Sequence, residues 1–347
     1  MKIEARGAVK YSSDGVMGEN AQCRGSSASI MEGYLASPVA GFTLLEVLIA
    51  IALGLVILAG LFRTFKVQQD SYLLQDQVST MQQNLRGAMY LITRDLQMAG
   101  YYTNLDRNNR QMDWNDLDGD SNPTTNMETG KPLLFGVNNV PAGTGVDIKD
   151  NTDVIVIVKA SMEEGRALGS GEGASASSIS LNPPDYDLTK GMKYGVLVKN
   201  DLSYAELFHL DSSGNITPPL TENYTANDRV HRADIIIYKV DDSTPTRPCL
   251  VRKNLGSDNG YQVIAENIDN LQFRYQLVDG TWPNDPAGNQ ARVRAVEVLL
   301  IARTALPQKG YRDMNSIPFG DTTIPAPNDH YRRKALNSIV KTRNVGL

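Results

Sequence analysis

The chain has 347 residues, enough for one large domain or two small ones. Its 34 Lys and Arg against 39 Asp and Glu leave a net charge of −5, which argues against a general nucleic-acid binder, whose affinity comes mainly from cations on phosphates. The two cysteines, Cys23 and Cys249, lie far apart on either side of one long apolar run and do not make the framework of a disulfide-stapled domain.

The first 41 residues are small and polar, as in "SSDGVMGENAQCRGSSAS", and show no sustained period. A secretory signal places its small residues after the apolar stretch. Here "ASPVAG" comes before it. From Phe42 to Phe62 every residue is apolar or Gly except Thr43 and Glu46. About 20 such residues span a bilayer as a helix, so this run reads as one transmembrane segment. No second run matches it, since "DVIVIVKA" and "AVEVLLIA" have strand length and carry charge. Glu46 is the anomaly. A carboxylate in hydrocarbon is costly, and ionisable residues kept there default to function. Gly54 and Gly60 fit either the ordinary tolerance of membrane helices for glycine or close helix packing. Arg63 and Lys66 follow the run, so loop charge does not set a cytoplasmic N-terminus.

The helical period continues past the run. Leu74, Val78, Met81, Leu85, Ala88, Ile92, Leu96 and Ala99 recur every three or four residues, with Gln, Asp, Ser and Arg opposite. Gly100 supplies a C-cap. A helix from Phe42 to Ala99 is roughly 85 Å long at 1.5 Å per residue. It is apolar all round in its first half and on one stripe in its second, which predicts a helix half in lipid and half laid on a sheet. Strands are predicted at "DVIVIVKA", "YGVLVKN", "AELFHLD", "ADIIIYKV", "CLVRKN", "NLQFRYQLV", "RAVEVLLIART" and "NSIVKTRN". "LGSGEGASASS" reads as a flexible loop and "NSIPFGDTTIPAPND" as a Pro-rich excursion.

Candidate chemistry is sparse. "DWNDLDGDSNP" gathers Asp113, Asn115, Asp116, Asp118, Asp120 and Asn122. Calcium takes about six to eight oxygens, which such a loop could supply. The EF-hand spacing fails, because counting from Asp116 puts Ser121 at the glycine position and Met127 at the glutamate position. The alternatives are a solvated acidic loop and a calcium site. His209, His231 and His330 are isolated, "GSGEG" lacks the strand-to-helix setting of a phosphate loop, and no catalytic constellation is evident. Arg332, Arg333, Lys334, Lys341 and Arg343 read as a solvated strand face, with a contact to DNA or to a partner protein as the alternative.

"GFTLLEVLIA", entered from small residues, resembles the prepilin signature of type IV pilins and of the pseudopilins of type II secretion. The resemblance implies that a prepilin peptidase cuts between Gly41 and Phe42 and methylates Phe42, and that Glu46 is the family's assembly glutamate. Paired with the Phe42 ammonium of a neighbouring subunit, it would set the register between helices. "ITRDLQMAGYY" at 92–102, "ENIDNLQFRYQLVDGTW" at 266–282, "AVEVLLIARTA" at 295–305 and "YRRKALNSIVKTRN" at 331–344 resemble PilW-type minor pilins.

The implied architecture is α+β. A leader, 1–41, is removed. A pilin helix, 42–99, has its transmembrane part at 42–62. A large antiparallel β-rich head occupies 100–347. The implied protein is a non-enzymatic minor pilin that initiates, primes or caps a type IV pilus, in the service of adhesion or motility. It spans the bacterial inner membrane once with its head in the periplasm and then moves to the pilus, at or near the tip. Its implied partners are the prepilin peptidase, other major and minor pilins and the inner-membrane assembly platform, with no specific nucleic acid. No cofactor is expected beyond a candidate Ca2+. The alternatives are a minor pseudopilin of a type II secretion system and a membrane-tethered ligand-binding or enzymatic protein that uses the pilin export route.

Overall fold

The computed structural model describes residues 41–103, 134–140, 147–162, 165–182, 193–211, 214–257, 260–286, 288–289, 292–320 and 322–345. It divides into two compact units, Met1–Thr64 and Phe65–Leu347.

One helix, α1, runs from Leu44 to Gln97. A turn follows, and Gly100 takes a left-handed φ of 78° while its N–H donates to Val158 O at 2.9 Å. A Cβ on Gly100 would sit 2.6 Å from Val345 Cγ2, so both the backbone angle and the packing call for glycine here. In the first unit the helix is exposed along its apolar length. In the second unit the expected stripe is in place: Met81, Leu85, Ala88, Ile92 and Leu96 are buried, as is Ala99 just after the helix, and Leu74 and Val78 are half-buried.

Ten strands form one antiparallel sheet: β1 (Leu134–Val137), β2 (Val154–Ala160), β3 (Arg166–Leu168), β4 (Leu181–Asn182), β5 (Tyr194–Val198), β6 (Ala205–Leu210), β7 (Ile216–Thr217), β8 (Arg229–Asp241), β9 (Cys249–Asn254) and β10 (Gln262–Glu266). The long strand β8 organises it. Its first residues pair with β3 and β5, and its later ones lie between β2 and β9. A second antiparallel sheet has the order β11 (Ile268–Leu277), β12 (Val293–Arg303), β15 (Arg333–Lys341). Asn267, with a left-handed φ of 59°, is the single residue between β10 and β11 and so marks the passage from one sheet to the other.

Period-2 alternation sorts the strand residues into two cores. Ile155, Ile157, Ile236, Tyr238 and Val240 face a core shared with the helix stripe and with Phe273, Tyr275, Val296, Val298 and Val340 of the second sheet. Val154, Val156, Val158, Ile235 and Ile237 face a core with Tyr194, Val196 and Leu207. Asp153, just before β2, ties the two sheets together. Its N–H donates to Leu271 O, and its carboxylate accepts from Phe273 N at 2.7 Å and Asn139 N at 2.8 Å. Burial pushes its carboxyl up to about 7, against the two N–H donors that favour the charged form.

All eight expected strands are present. Two loop readings need correction. The Pro-rich stretch holds a hairpin, β13 (Ile317–Phe319) and β14 (Thr322–Ile324), because Phe319 drops onto Leu299 and Ile301 of β12. "LGSGEGASASS" is tied down rather than free: Leu168 is buried, Glu172 bridges Tyr224, and Ala176 packs on a third core with Phe208 and Tyr224.

Candidate functional site

The residues singled out at the helix start form a defined local structure. Gly41 and Phe42 precede the helix, and Phe42 is 86% exposed. Thr43 is the N-cap and Glu46 the third helical residue. Glu46 Oε2 accepts from Thr43 N and from Thr43 Oγ1, both at 3.0 Å, and Glu46 N donates back to Thr43 Oγ1 at 3.2 Å. This reciprocal T-x-x-E capping box satisfies helix N–H groups that otherwise lack partners. It uses one carboxylate oxygen; among the described residues Oε1 accepts no hydrogen bond. A Cβ on Gly41 would meet nothing within 4 Å, so packing within the described chain does not require glycine at that position.

Asp113, Asn115, Asp116, Asp118 and Asp120 lie outside the described residues, as do residues 1–40. Among the described residues no three His, Cys, Asp or Glu side chains are grouped to hold a metal. His209 stacks edge-on to Tyr194 with centroids 5.0 Å apart, and burial lowers its pKa. His231 lies 5.2 Å from the Tyr102 ring, and His330 Nδ1 is 2.5 Å from Tyr311 O.

Two buried charge clusters were not foreseen. Asp95, 6% exposed on the helix stripe, accepts from Tyr238 OH at 2.6 Å and Arg252 Nε at 3.0 Å, with Lys159 Nζ at 3.6 Å. It pins the helix to β2, β8 and β9. The signal was available, since Asp95 falls three residues after Ile92 and four before Ala99. The second cluster corrects the reading of the basic patch. Arg333 points inward and meets Asp269 at 2.5 Å, Asp329 at 2.6 Å and Asp313 at 3.4 Å. Asp269 also holds Lys149, with Arg303 at 3.7 Å. Burial raises the Asp269 carboxyl, but Lys149 and Arg333 outweigh it and keep it below the ordinary value. Lys334, Lys341 and Arg343 are exposed as expected. A cleft of about 480 Å³ opens beside this cluster, lined by Asn270, Ile301, Thr323, Lys149, Asp269 and Arg333 among others. The last three are engaged with one another.

Two family models match the chain. One, described as Type IV Pilus-assembly protein W, covers residues 237–344, from the later part of β8 through the whole second sheet. The other, the Prokaryotic N-terminal methylation motif, covers residues 37–62. No curated protein matches. Among solved structures, a type IV-like pilin from Thermus thermophilus is similar at 13% identity, covering 79% of this chain and 98% of its own, with a TM-score of 0.34. The two family matches support a PilW-type pilin with a prepilin N-terminus, and the motif with its apolar helix points to anchorage in a membrane. They imply interaction with other pilins and processing by a prepilin peptidase.

Proposed function

We propose that this PilW-type pilin is a non-enzymatic minor subunit that initiates, primes or caps a type IV pilus. The observation that carries the reading is the prepilin motif at the start of an exposed apolar helix, on a chain whose second sheet matches the PilW family. The peptidase cuts between Gly41 and Phe42 and methylates the new amino group of Phe42. No described residue would meet a Cβ on Gly41, which supports a role for the glycine in recognition by that enzyme. The apolar helix holds the protein in the inner membrane with the head in the periplasm until it enters the filament through the assembly platform.

Glu46 then acts between subunits. Its capping box with Thr43 uses Oε2, which leaves Oε1 for the ammonium of a neighbouring Phe42. Two groups that are costly in lipid become one pair, which sets the axial register. The second unit, Phe65–Leu347, is larger than most domains. A head of that size tiles poorly along a shaft, and a place at or near the tip removes one set of neighbours. The calcium reading of Asp113–Asp120 remains a proposal of weak binding. Calorimetry of the chain with and without Asp116, Asp118 and Asp120 decides it, and no calcium-dependent heat rejects it.

Gene deletion scored for surface pili and for protein secretion tests the function. Loss of pili with secretion intact is the expected result. Loss of secretion with pili intact would select the pseudopilin of a type II system instead. If both survive, the tethered ligand-binding or enzymatic alternative stands in place of the pilus role.

A further inference from the structure

Four described strands have nine or more residues: β8, β11, β12 and β15. β8 and β12 are paired on both sides. The outer edge of β11 is occupied, because Leu271 O accepts from Asp153 N, Phe273 N donates to the Asp153 carboxylate, and Tyr275 N donates to Pro283 O. β11 also carries two register shifts. β15 differs on each count. Its register against β12 is unbroken from Arg333 to Lys341. Thr304 N donates to Arg332 O and Thr342 N to Arg294 O, so the even-numbered residues of β15 bond to β12. By the alternation of antiparallel ladders, Arg333, Ala335, Asn337, Ile339 and Lys341 aim their N–H and C=O groups at the open side. No described backbone group meets them there.

Proteins guard long edges with bulges, prolines, cover or charged side chains, and among the described residues this edge has only the last. The strand "RKALNSIVK" contains three cations and no acid. Arg333 is spent on the buried cluster, while Lys334 and Lys341 are exposed near the two ends. Ile339, 59% exposed, offers an apolar contact on the face that carries Lys341. Pairing with a second copy would set two wholly cationic strands side by side, and like charges across strands are destabilising.

We propose that β15 is a docking edge that accepts an extended, acidic segment of a partner protein as an added strand. Main-chain bonds to Ala335, Asn337, Ile339 and Lys341 supply the attachment, and carboxylates on Lys334 and Lys341 choose the partner. This does not rest on the pilus reading.

The probe is a capped nonapeptide of glutamate–glutamate–valine repeats, which carries carboxylates on both faces because Lys334 and Lys341 lie on opposite faces of the strand, with a lysine–lysine–valine peptide as its counterpart, added to the full chain in detergent micelles. Binding by fluorescence anisotropy and hydrogen exchange resolved at single amides are the readouts. The acidic peptide should bind and slow exchange at Ala335, Asn337, Ile339 and Lys341, and the basic peptide should do neither. Ile339→Pro removes an outward N–H without touching the ladder to β12, so it should keep the melting temperature and weaken binding by about tenfold. Asn337→Pro removes the neighbouring outward N–H, together with the side-chain bond from Asn337 Nδ2 to Glu297, and stands in should Ile339→Pro fold poorly. Equal binding of the two peptides, or no protection at the four amides, overturns the proposal. So does undiminished binding by a folded proline variant, or protection that grows with protein concentration alone, which would mark self-association.

Discussion

The two parts of α1 use the same apolar residues in opposite ways. Between Leu44 and Thr64 they point in every direction and remain open, with Ile51 55% and Leu58 50% exposed. Between Phe65 and Gln97 the apolar residues that pack form one stripe, where Leu85 and Ile92 are closed off, while Phe65, Tyr72, Leu73 and Tyr90 stay exposed. A helix that is apolar all round needs surroundings from outside its own chain, while an amphipathic one is completed by its own sheets. The acids sharpen the contrast. Asp95 finds three partners inside the second unit. Among the described residues Glu46 finds only Thr43, three residues away. One acid ties the helix to the sheets, and the other caps its own helix.

The largest effect on stability is expected at Asp95. Asp95→Ala leaves Arg252, Lys159 and the Tyr238 hydroxyl around a buried gap and should cost about 3–5 kcal/mol. Thermal melting of the chain in detergent reads it, and an unchanged midpoint would mean that the cluster does not hold the helix to the head. Leu85→Ala comes next at about 2–4 kcal/mol, for lost burial and the cavity left behind. Its partner experiment is Leu53→Ala, 60% exposed in the first unit, which should leave the melting of the head unchanged. Comparable losses at both sites would break the distinction between the two parts of the helix.

A smaller effect follows from Asp153. Folded, it keeps its proton up to about pH 7; unfolded, it releases it near the ordinary carboxyl value. Folding therefore takes up a proton between those limits. The Asp153 contribution is fullest below about pH 4 and is lost as pH rises toward 7. Urea midpoints from pH 4 to 8 should fall more steeply with pH in the wild type than in Asp153→Asn, and parallel curves would rule out the buried proton. Glu46→Val should change stability least of all, with head melting and cleavage as in the wild type. It should nevertheless stop co-purification with partner pilins, because the neighbouring ammonium loses its counter-charge. Glu46→Gln should fail partly. Wild-type co-assembly of a normally cleaved Glu46→Val protein would remove the pairing from the account.

The contrast within α1 was legible because both signals are local: an unbroken apolar run, and a three-or-four spacing from Leu74 to Ala99. The capping box was also written in four consecutive residues, Thr43 to Glu46, although its hydrogen bonds had to be seen before Glu46 acquired a role within its own chain. The long strands announced themselves by composition. What stayed hidden was non-local. Arg333 reads as one of a row of surface cations until β11 brings Asp269 to it and the loop before β15 brings Asp313 and Asp329. The hairpin of β13 and β14 depends on Phe319 finding Leu299 and Ile301. The open edge of β15 is invisible in its sequence, because an edge is defined by what fails to pair.

The claim beneath all of this is that the chain matures as a pilin, and the mass of its mature N-terminus tests that most directly. Mass spectrometry of protein extracted from the membrane should find a chain that begins with N-methylated Phe42. A mature protein that still carries residues 31–41 would contradict the account.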